Sequence, residues 1–232
     1  DMPLTRVKKV NATNLIGTVP NTRLTSSAVA GSGPYEFVTE KIWTSDGEHD
    51  GDTYARTFFT NIFDKTKYSG YKVFFHWLGH EDTGELEMRM QTGTSASTSG
   101  QKSDSYYYGN LVEMDSSDTS YKNTKYEGTS SGVLWKSVWA EDRGGVTGEM
   151  NINMVSNSPT ASKNNNQFRP YFYGTLVGYY LGDQYRRADF QFRYNVSQDD
   201  DHYTGFQLFH SASTSISKGS HISVYGIRWS TT

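Results

Sequence analysis

The chain of 232 residues contains no cysteine. This absence excludes disulfides, thiolate nucleophiles, thiolate zinc sites and iron–sulfur clusters. No apolar run approaches the roughly 20 residues that a membrane-spanning helix needs, so we expect no membrane insertion. The formal net charge is only -3, and no basic run extends beyond Arg6, Lys8 and Lys9. We therefore expect no binding to nucleic acid.

The composition is that of a folded domain. Hydrophobic residues make up 34% of the chain and aromatic residues 15%, which is too many large side chains for a disordered segment. The length fits one large all-β domain or two small ones. The 17 tyrosines outnumber the other aromatic residues, and tyrosine serves both half-buried strands and surfaces that contact sugars or proteins. Composition leaves these two uses open.

Period-two alternation of apolar and polar residues dominates the sequence. Leu86, Met88 and Met90 alternate with polar residues, and the pattern recurs over residues 150–154 and 190–196. Such segments are typical of half-buried antiparallel strands. Less regular apolar segments are residues 54–63, 71–78, 106–114, 133–139, 171–181, 206–210 and 222–229. We predict an all-β fold, an antiparallel β-sandwich of about ten strands without a long helix.

The last apolar segment changes phase. Ile222 and Val224 alternate in one phase, whereas Tyr225 and Ile227 alternate in the other. A one-residue change of phase is typical of a β-bulge, which we predict beside Gly226.

Loops and an arm complete the predicted organisation. Ser, Thr, Asn and Gly dominate residues 92–105, 115–132 and 156–166, which we predict to be long surface loops. Residues 1–34 are poorer in aromatic residues, and we predict that they form an N-terminal arm or linker. The β-sandwich domain then covers residues 35–232.

One acidic segment has the composition of a cation-binding loop. Asp46, Asp50 and Asp52 offer carboxylate oxygens around glycine turns, as a calcium loop does. The twelfth position counted from Asp46 is Thr57 instead of a bidentate Glu, and the segment lies between predicted strands. We read it as a solvated turn and expect no metal and no cofactor.

Carboxylate pairs are the candidates for catalysis. Glu85 and Glu87 point the same way from one predicted strand, about 6.5–7 Å apart along it, a spacing compatible with a glycosidase pair. Glu141 and Asp142 form a second pair. We expect Glu85 and Glu87 to face solvent on an exposed sheet face, and we expect no enzymatic activity.

Aromatic clusters supply the candidates for ligand contact. The consecutive rings of Tyr106, Tyr107 and Tyr108 lie on both faces of one predicted strand, and Trp135 and Trp139 share a face of another. Rings that face outward would stack on sugars, whereas rings that face inward belong to the core or to a subunit interface. Both alternatives stay open for these five residues.

Several segments share their order and pattern with a known family. They are Tyr68-Ser-Gly-Tyr-Lys-Val-Phe-Phe75, Leu86-Glu-Met-Arg-Met-Gln-Thr-Gly-Thr94, Asp104-Ser-Tyr-Tyr-Tyr108, Tyr171-Phe-Tyr-Gly-Thr175 and the closing Lys218-Gly-Ser-His-Ile-Ser-Val-Tyr-Gly-Ile-Arg-Trp229. The set resembles the C-terminal domains of fibre and appendage proteins of tailed phages, cyanobacterial phages in particular. The closing segment is similar to the final GS-x-I-S-L-Y-G-I strand of those domains, with Val224 where Leu is usual.

The resemblance implies a jelly-roll type of β-sandwich, commonly trimeric and held on the virion by a preceding arm. The implied function is that of a non-enzymatic structural protein of the virion, in a tail fibre, a head fibre or a capsid decoration. The implied partners are two further copies of the chain, other virion proteins and a polysaccharide of the host cell surface. The implied location is the virion, which is assembled in the host cytoplasm and then released. Two alternatives stay open: a virion-borne polysaccharide depolymerase that uses a carboxylate pair, and a free carbohydrate-binding module.

Overall fold

A computed structural model describes residues 34–45, 56–64, 66–78, 84–92, 94–96, 101–103, 105–115, 121–138, 145–153, 170–180, 184–194, 203–211 and 216–229. The described residues are strands, turns and bends, with no helix among them. No described segment is therefore a helix long and apolar enough to span a bilayer. The predicted arm lies outside these ranges up to residue 33, so it stays a prediction.

The described residues form twelve β-strands, two more than the expected ten. They are β1 (Tyr35–Ile42), β2 (Arg56–Phe59), β3 (Tyr68–Trp77), β4 (Gly84–Gln91), β5 (Tyr107–Asp115), β6 (Tyr121–Thr129), β7 (Gly132–Val138), β8 (Val146–Asn153), β9 (Tyr171–Tyr180), β10 (Gln184–Tyr194), β11 (Gly205–His210) and β12 (His221–Arg228).

The strands build two antiparallel sheets, which confirms the predicted β-sandwich. The large sheet has eight strands in the order β1-β12-β3-β8-β9-β10-β5-β6, and the small sheet has four in the order β2-β11-β4-β7. Each strand of the small sheet is preceded and followed in the chain by a strand of the large sheet. The chain therefore crosses repeatedly between the sheets, which ties the two layers together. The jelly-roll connectivity stays a prediction.

The core lies between the facing sides of the two sheets. Leu86, Met88 and Met90, the apolar face predicted for β4, are completely buried. From the large sheet, Trp77 and Phe172 enter the same apolar cluster. Burial of large side chains of this kind contributes roughly 1.5–3 kcal/mol each. The alternation read from the sequence therefore identifies the stabilising face of β4 correctly.

The two edge strands of the large sheet were not predicted. Residues 115–132 were expected to be a loop, but β6 occupies most of that range, and β1 was not recognised as a strand. An edge strand covers less of the core, so its sequence shows less apolar alternation. Tyr121, the first residue of β6, is 71% exposed, and Phe37 of β1 is 52% exposed. The periodic signal is therefore weakest where the sheet ends.

The register of β12 against β3 shifts beside Gly226, where the bulge was predicted, but the extra residue, Ser69, is on β3 instead of β12. Gly226 pairs regularly with Tyr71 on β3, and the pairing changes register one residue later, between Ile227 and Arg228. The apparent change of phase arises because Tyr225 carries an apolar ring on the opposite face, 5.8 Å from the ring of Phe74. Gly226 itself faces Tyr68, whose ring would lie 2.4 Å from an added Cβ atom.

Candidate functional site

The large sheet has one face turned away from the small sheet, which we call the outer face. Exposure alternates along its strands: on β9, Tyr171 and Tyr173 are more than two-fifths exposed, whereas Phe172 between them is fully buried. Because all neighbouring strands are antiparallel and in regular register at this place, outer residues line up in rows that cross the strands.

One row contains three amide side chains and a tyrosine. Asn110 on β5 faces Gln191 on β10, which faces Tyr173 on β9, which in turn faces Asn151 on β8. None of the three amides has a side-chain hydrogen bond to the described part of the chain. We call these four residues the amide row. Its amides offer unused donors and acceptors to a ligand.

The adjacent row places an arginine between two tyrosines. Arg193 on β10 pairs with Tyr108 on β5 and with Tyr171 on β9. The guanidinium carbon of Arg193 lies 6.0 Å from the centre of the Tyr108 ring. Tyr171 stacks on Tyr173 of the amide row, with ring centres 5.9 Å apart and planes at 19°. On its other side, Asn153 Nδ2 donates to the Tyr171 hydroxyl at 2.6 Å.

Shallow depressions follow these rows across the sheet. Three of them have volumes of about 680, 380 and 400 Å³. The first two share Asn110 and Gln191, and the second and third share Glu149. The three depressions therefore lie side by side on the outer face from β6 to β12, and we call them together the transverse groove. The groove is long and shallow, a shape that fits an extended chain better than a compact small molecule.

Most charges along the groove are neutralised by a neighbour on the sheet. Lys72 Nζ lies 2.9 Å from Glu149 Oε2, and Lys125 forms an ion pair with Glu127. Asp189 accepts from the Thr175 hydroxyl at 2.6 Å and pairs with Arg187 on the same strand. The groove is therefore mixed in charge and has no strongly acidic or basic stretch.

Two histidines lie at the β12 end of the groove. His76 and His221 are direct neighbours on β3 and β12. Burial lowers the pKa of His76, and the nearby His221 lowers it further. The ring of His221 is within hydrogen-bond distance of Ser223, at 2.9 Å. The described residues contain no group of three His, Asp or Glu placed to hold a metal ion.

The structure separates the five predicted aromatic candidates. Tyr106 is 44% exposed and lies edge-on to Tyr194, and Tyr108 lines the groove. Tyr107 and Trp135 are fully buried, so they are core residues and are withdrawn as candidates for ligand contact. Trp139 lies outside the described residues.

Tyr107 is buried because it links three segments. Its hydroxyl accepts a hydrogen bond from the Met90 amide at 2.8 Å and donates to the Lys102 carbonyl at 2.9 Å. Its ring packs against Tyr194, with centres 4.8 Å apart. The consecutive tyrosines on β5 therefore divide by strand alternation, with Tyr108 outward and Tyr107 inward.

The predicted carboxylate pair is on the small sheet, where Glu85 is half-buried and Glu87 does not face solvent as expected. Glu87 is only 9% exposed and accepts a hydrogen bond from the Ser131 hydroxyl. Burial raises the pKa of Glu85 and of Glu87. Two residues further along β4, Arg89 donates to the side-chain oxygen of Gln101 at 3.0 Å. The acidic candidates Glu141, Asp142, Asp46, Asp50 and Asp52 lie outside the described residues.

Sequence reasoning missed most of the groove. Tyr173 has no distinguishing sequence signal, but Gln191 and Arg193 form the polar phase of a clean alternation, and so do Asn151 and Asn153. Asn and Gln that recur at the polar positions of several alternating strands are the sequence pattern that indicates this site. Which of these residues are neighbours depends on strand order, which the sequence does not provide.

Comparisons of the chain with protein-family models, with curated proteins and with solved structures find no match.

Proposed function

We propose that this chain is a non-enzymatic glycan-binding protein and that the transverse groove is its binding site. The observation that carries the proposal is the amide row, in which three unused amides flank an exposed tyrosine. Sugars present hydroxyl groups at the rim of each ring and C–H groups on its faces. Amides suit the hydroxyls because they both donate and accept, and tyrosine suits the faces.

The dimensions of the groove favour a linear polysaccharide. From Asn110 to Asn151 the row crosses three strand spacings, about 14 Å, and the groove continues beyond both residues. A site of this length contacts several sugar units at once.

The proposed setting is a phage virion, with the chain as a jelly-roll domain of a tail fibre, a head fibre or a capsid decoration. Its support is the resemblance of residues 218–229 to the closing strand of such domains. A trimer would present three grooves to one cell surface, and this repetition would convert weak binding at each groove into strong attachment. β1 is an edge strand among the described residues, and oligomerisation is one way in which proteins cover strand edges.

The binding test uses two tyrosines of one strand. Tyr173 and Tyr179 both belong to β9, and each is 44% exposed, but Tyr173 lines the groove and Tyr179 does not line the three depressions described. Native electrophoresis of the full chain through gels that contain neutral or acidic polysaccharides would measure retardation. We expect Tyr173→Ala to abolish retardation and Tyr179→Ala to preserve it.

Two outcomes would count against this proposal. Equal retardation of both variants would place binding elsewhere, and no retardation by a broad panel of polysaccharides would remove the glycan-binding function. Release of new reducing ends from a polysaccharide, lost in Glu87→Gln, would instead establish the depolymerase alternative.

A further inference from the structure

We propose that the part of the groove around Arg193 binds the carboxylate of an acidic sugar, so that the ligand is a heteropolysaccharide containing uronic acid. This inference rests on the proposed glycan binding and adds the chemical class of the glycan. Among the described lysines and arginines that line the groove, Arg193 is the one without a carboxylate partner.

Arg193 differs from the other cations of the outer face. Lys72, Lys125 and Arg187 each form an ion pair with a carboxylate on the sheet. Within the described ranges no carboxylate pairs with Arg193, and its guanidinium lies over the ring of Tyr108. A guanidinium in this position keeps its full set of donors for a ligand.

The surroundings of Arg193 hold its side chain in place without neutralising it. Its cross-strand partners on both sides are tyrosines, Tyr108 and Tyr171. A ring beneath a guanidinium attracts the cation and restricts its motion while its edge stays available for hydrogen bonds. The planar fork of arginine matches a carboxylate with two parallel hydrogen bonds. The same depression offers Asn110 and Gln191 to the hydroxyls of the sugar that carries the acid.

The other charges of the groove limit how acidic the ligand is. Glu127 lines the depression around Arg193, and Glu149 lines the next two. Lys125 and Lys72 already pair with these carboxylates. A polymer with a negative charge on every unit, or with dense sulfation, would therefore find no unpaired lysine or arginine besides Arg193 among the described residues that line the groove. The charge pattern therefore favours a polysaccharide in which uronic acids are separated by neutral sugars.

The test compares matched ligands and matched variants of the full chain. Hyaluronan, xanthan and gellan carry spaced uronic acids, and chemical reduction of their carboxyl groups gives neutral forms of the same backbones. Polygalacturonate and dextran represent the fully acidic and the neutral extremes. We expect binding to at least one spaced uronic polysaccharide and its loss after carboxyl reduction.

Two arginines of the large sheet provide the variants. Arg193→Gln removes the proposed carboxylate contact, and hydrogen bonds to charged groups are worth about 1.5–3 kcal/mol, so we expect affinity to fall about ten- to a hundred-fold. Arg193→Lys should recover part of the loss, since it restores charge without the fork. Arg228→Gln is the control, because Arg228 on β12 is paired with Glu36 and does not line the three depressions described.

The outcomes separate this inference from the proposed function. Binding that Tyr173→Ala abolishes but that survives both carboxyl reduction and Arg193→Gln would overturn the acidic-sugar inference and leave glycan binding intact. Preferential binding to dextran would do the same. Failure of every polysaccharide to bind would overturn both.

Discussion

A buried ion cluster between the two sheets tests the packing of the sandwich. Glu113 on β5 and Arg186 on β10 have side chains only 2% and 8% exposed, and Arg186 Nη1 lies 2.6 Å from Glu113 Oε1. Arg186 Nη2 is 3.3 Å from Asp115 Oδ2. From the small sheet, Lys136 Nζ approaches Glu113 Oε2 to 3.9 Å. The cluster therefore joins both sheets, and we predict that Arg186→Met destabilises the fold strongly.

The magnitude follows from the charges that the substitution leaves behind. Without Arg186, the Glu113 carboxylate keeps only the distant Lys136 as a counter-charge in this cluster. Breaking one side of a buried ion pair costs about 3–5 kcal/mol, because the other charge is left desolvated. Domains are stable by about 5–15 kcal/mol, so this is a large share of the total. Glu113→Leu combined with Arg186→Met removes both charges and should cost less than Arg186→Met alone.

Urea unfolding followed by tryptophan fluorescence measures these differences. Lys125→Gln is the control, since it breaks the ion pair with Glu127 at an exposed position and should leave the midpoint unchanged. The Arg186→Met effect should also be insensitive to salt, because buried pairs are poorly screened. A cost below about 1 kcal/mol, the value for a surface pair, would refute the reasoning, and so would strict additivity of the Glu113 and Arg186 substitutions.

Two further predictions concern the small sheet. Burial raises the pKa of Glu87, so the folded protein holds a proton on this carboxyl more strongly than the unfolded chain does. Ionisation of Glu87 therefore destabilises the fold as the pH rises above the pKa of Glu87 in the unfolded chain. Glu87→Gln can still accept a hydrogen bond from Ser131, and it should therefore raise the melting temperature at neutral pH. In acid the difference from the unchanged protein should disappear. A lower melting temperature at neutral pH would contradict this prediction. Gly205→Ala should disrupt the pairing of β11 with β2 and lower the melting temperature, because an added Cβ atom would lie 1.6 Å from the Phe59 carbonyl oxygen. An unchanged melting temperature would exclude that close approach.

The sequence predicts the fold class and the core strands, but not the edges of the large sheet or the arrangement of the site. Leu86, Met88 and Met90 are recognisable because a strand covered by a second sheet must alternate. β6 is not recognisable, because most of its side chains are exposed or half-buried and its place is fixed by pairing with β5. Strand propensity and apolar alternation are properties of the segment itself. Whether an exposed segment pairs as an edge strand depends on the strand beside it in the sheet.

The aromatic candidates show the same limit at the level of single residues. Tyr107 and Tyr108 are chemically identical neighbours, and only the direction of the core decides that Tyr107 is buried and Tyr108 lines the groove. Glu87 was expected on an exposed face, but it is buried, and the Ser131 hydroxyl between β6 and β7 donates to its carboxylate. A contact between residues far apart in the chain leaves no periodic signal in either segment.

The position of Arg193 in the groove is determined by the opposite face of its own strand. On β10, Phe190 and Phe192 are buried in the core, while Gln191 and Arg193 occupy the alternate positions. Because the side-chain period of a strand is two, a shift of one residue would bury the arginine and expose both phenylalanines. Losing the burial of each phenylalanine costs roughly 1.5–3 kcal/mol, and the desolvated guanidinium costs more. Core packing thus fixes Arg193 beside Tyr108, so the selectivity proposed for the groove depends on the same register that stabilises the sandwich.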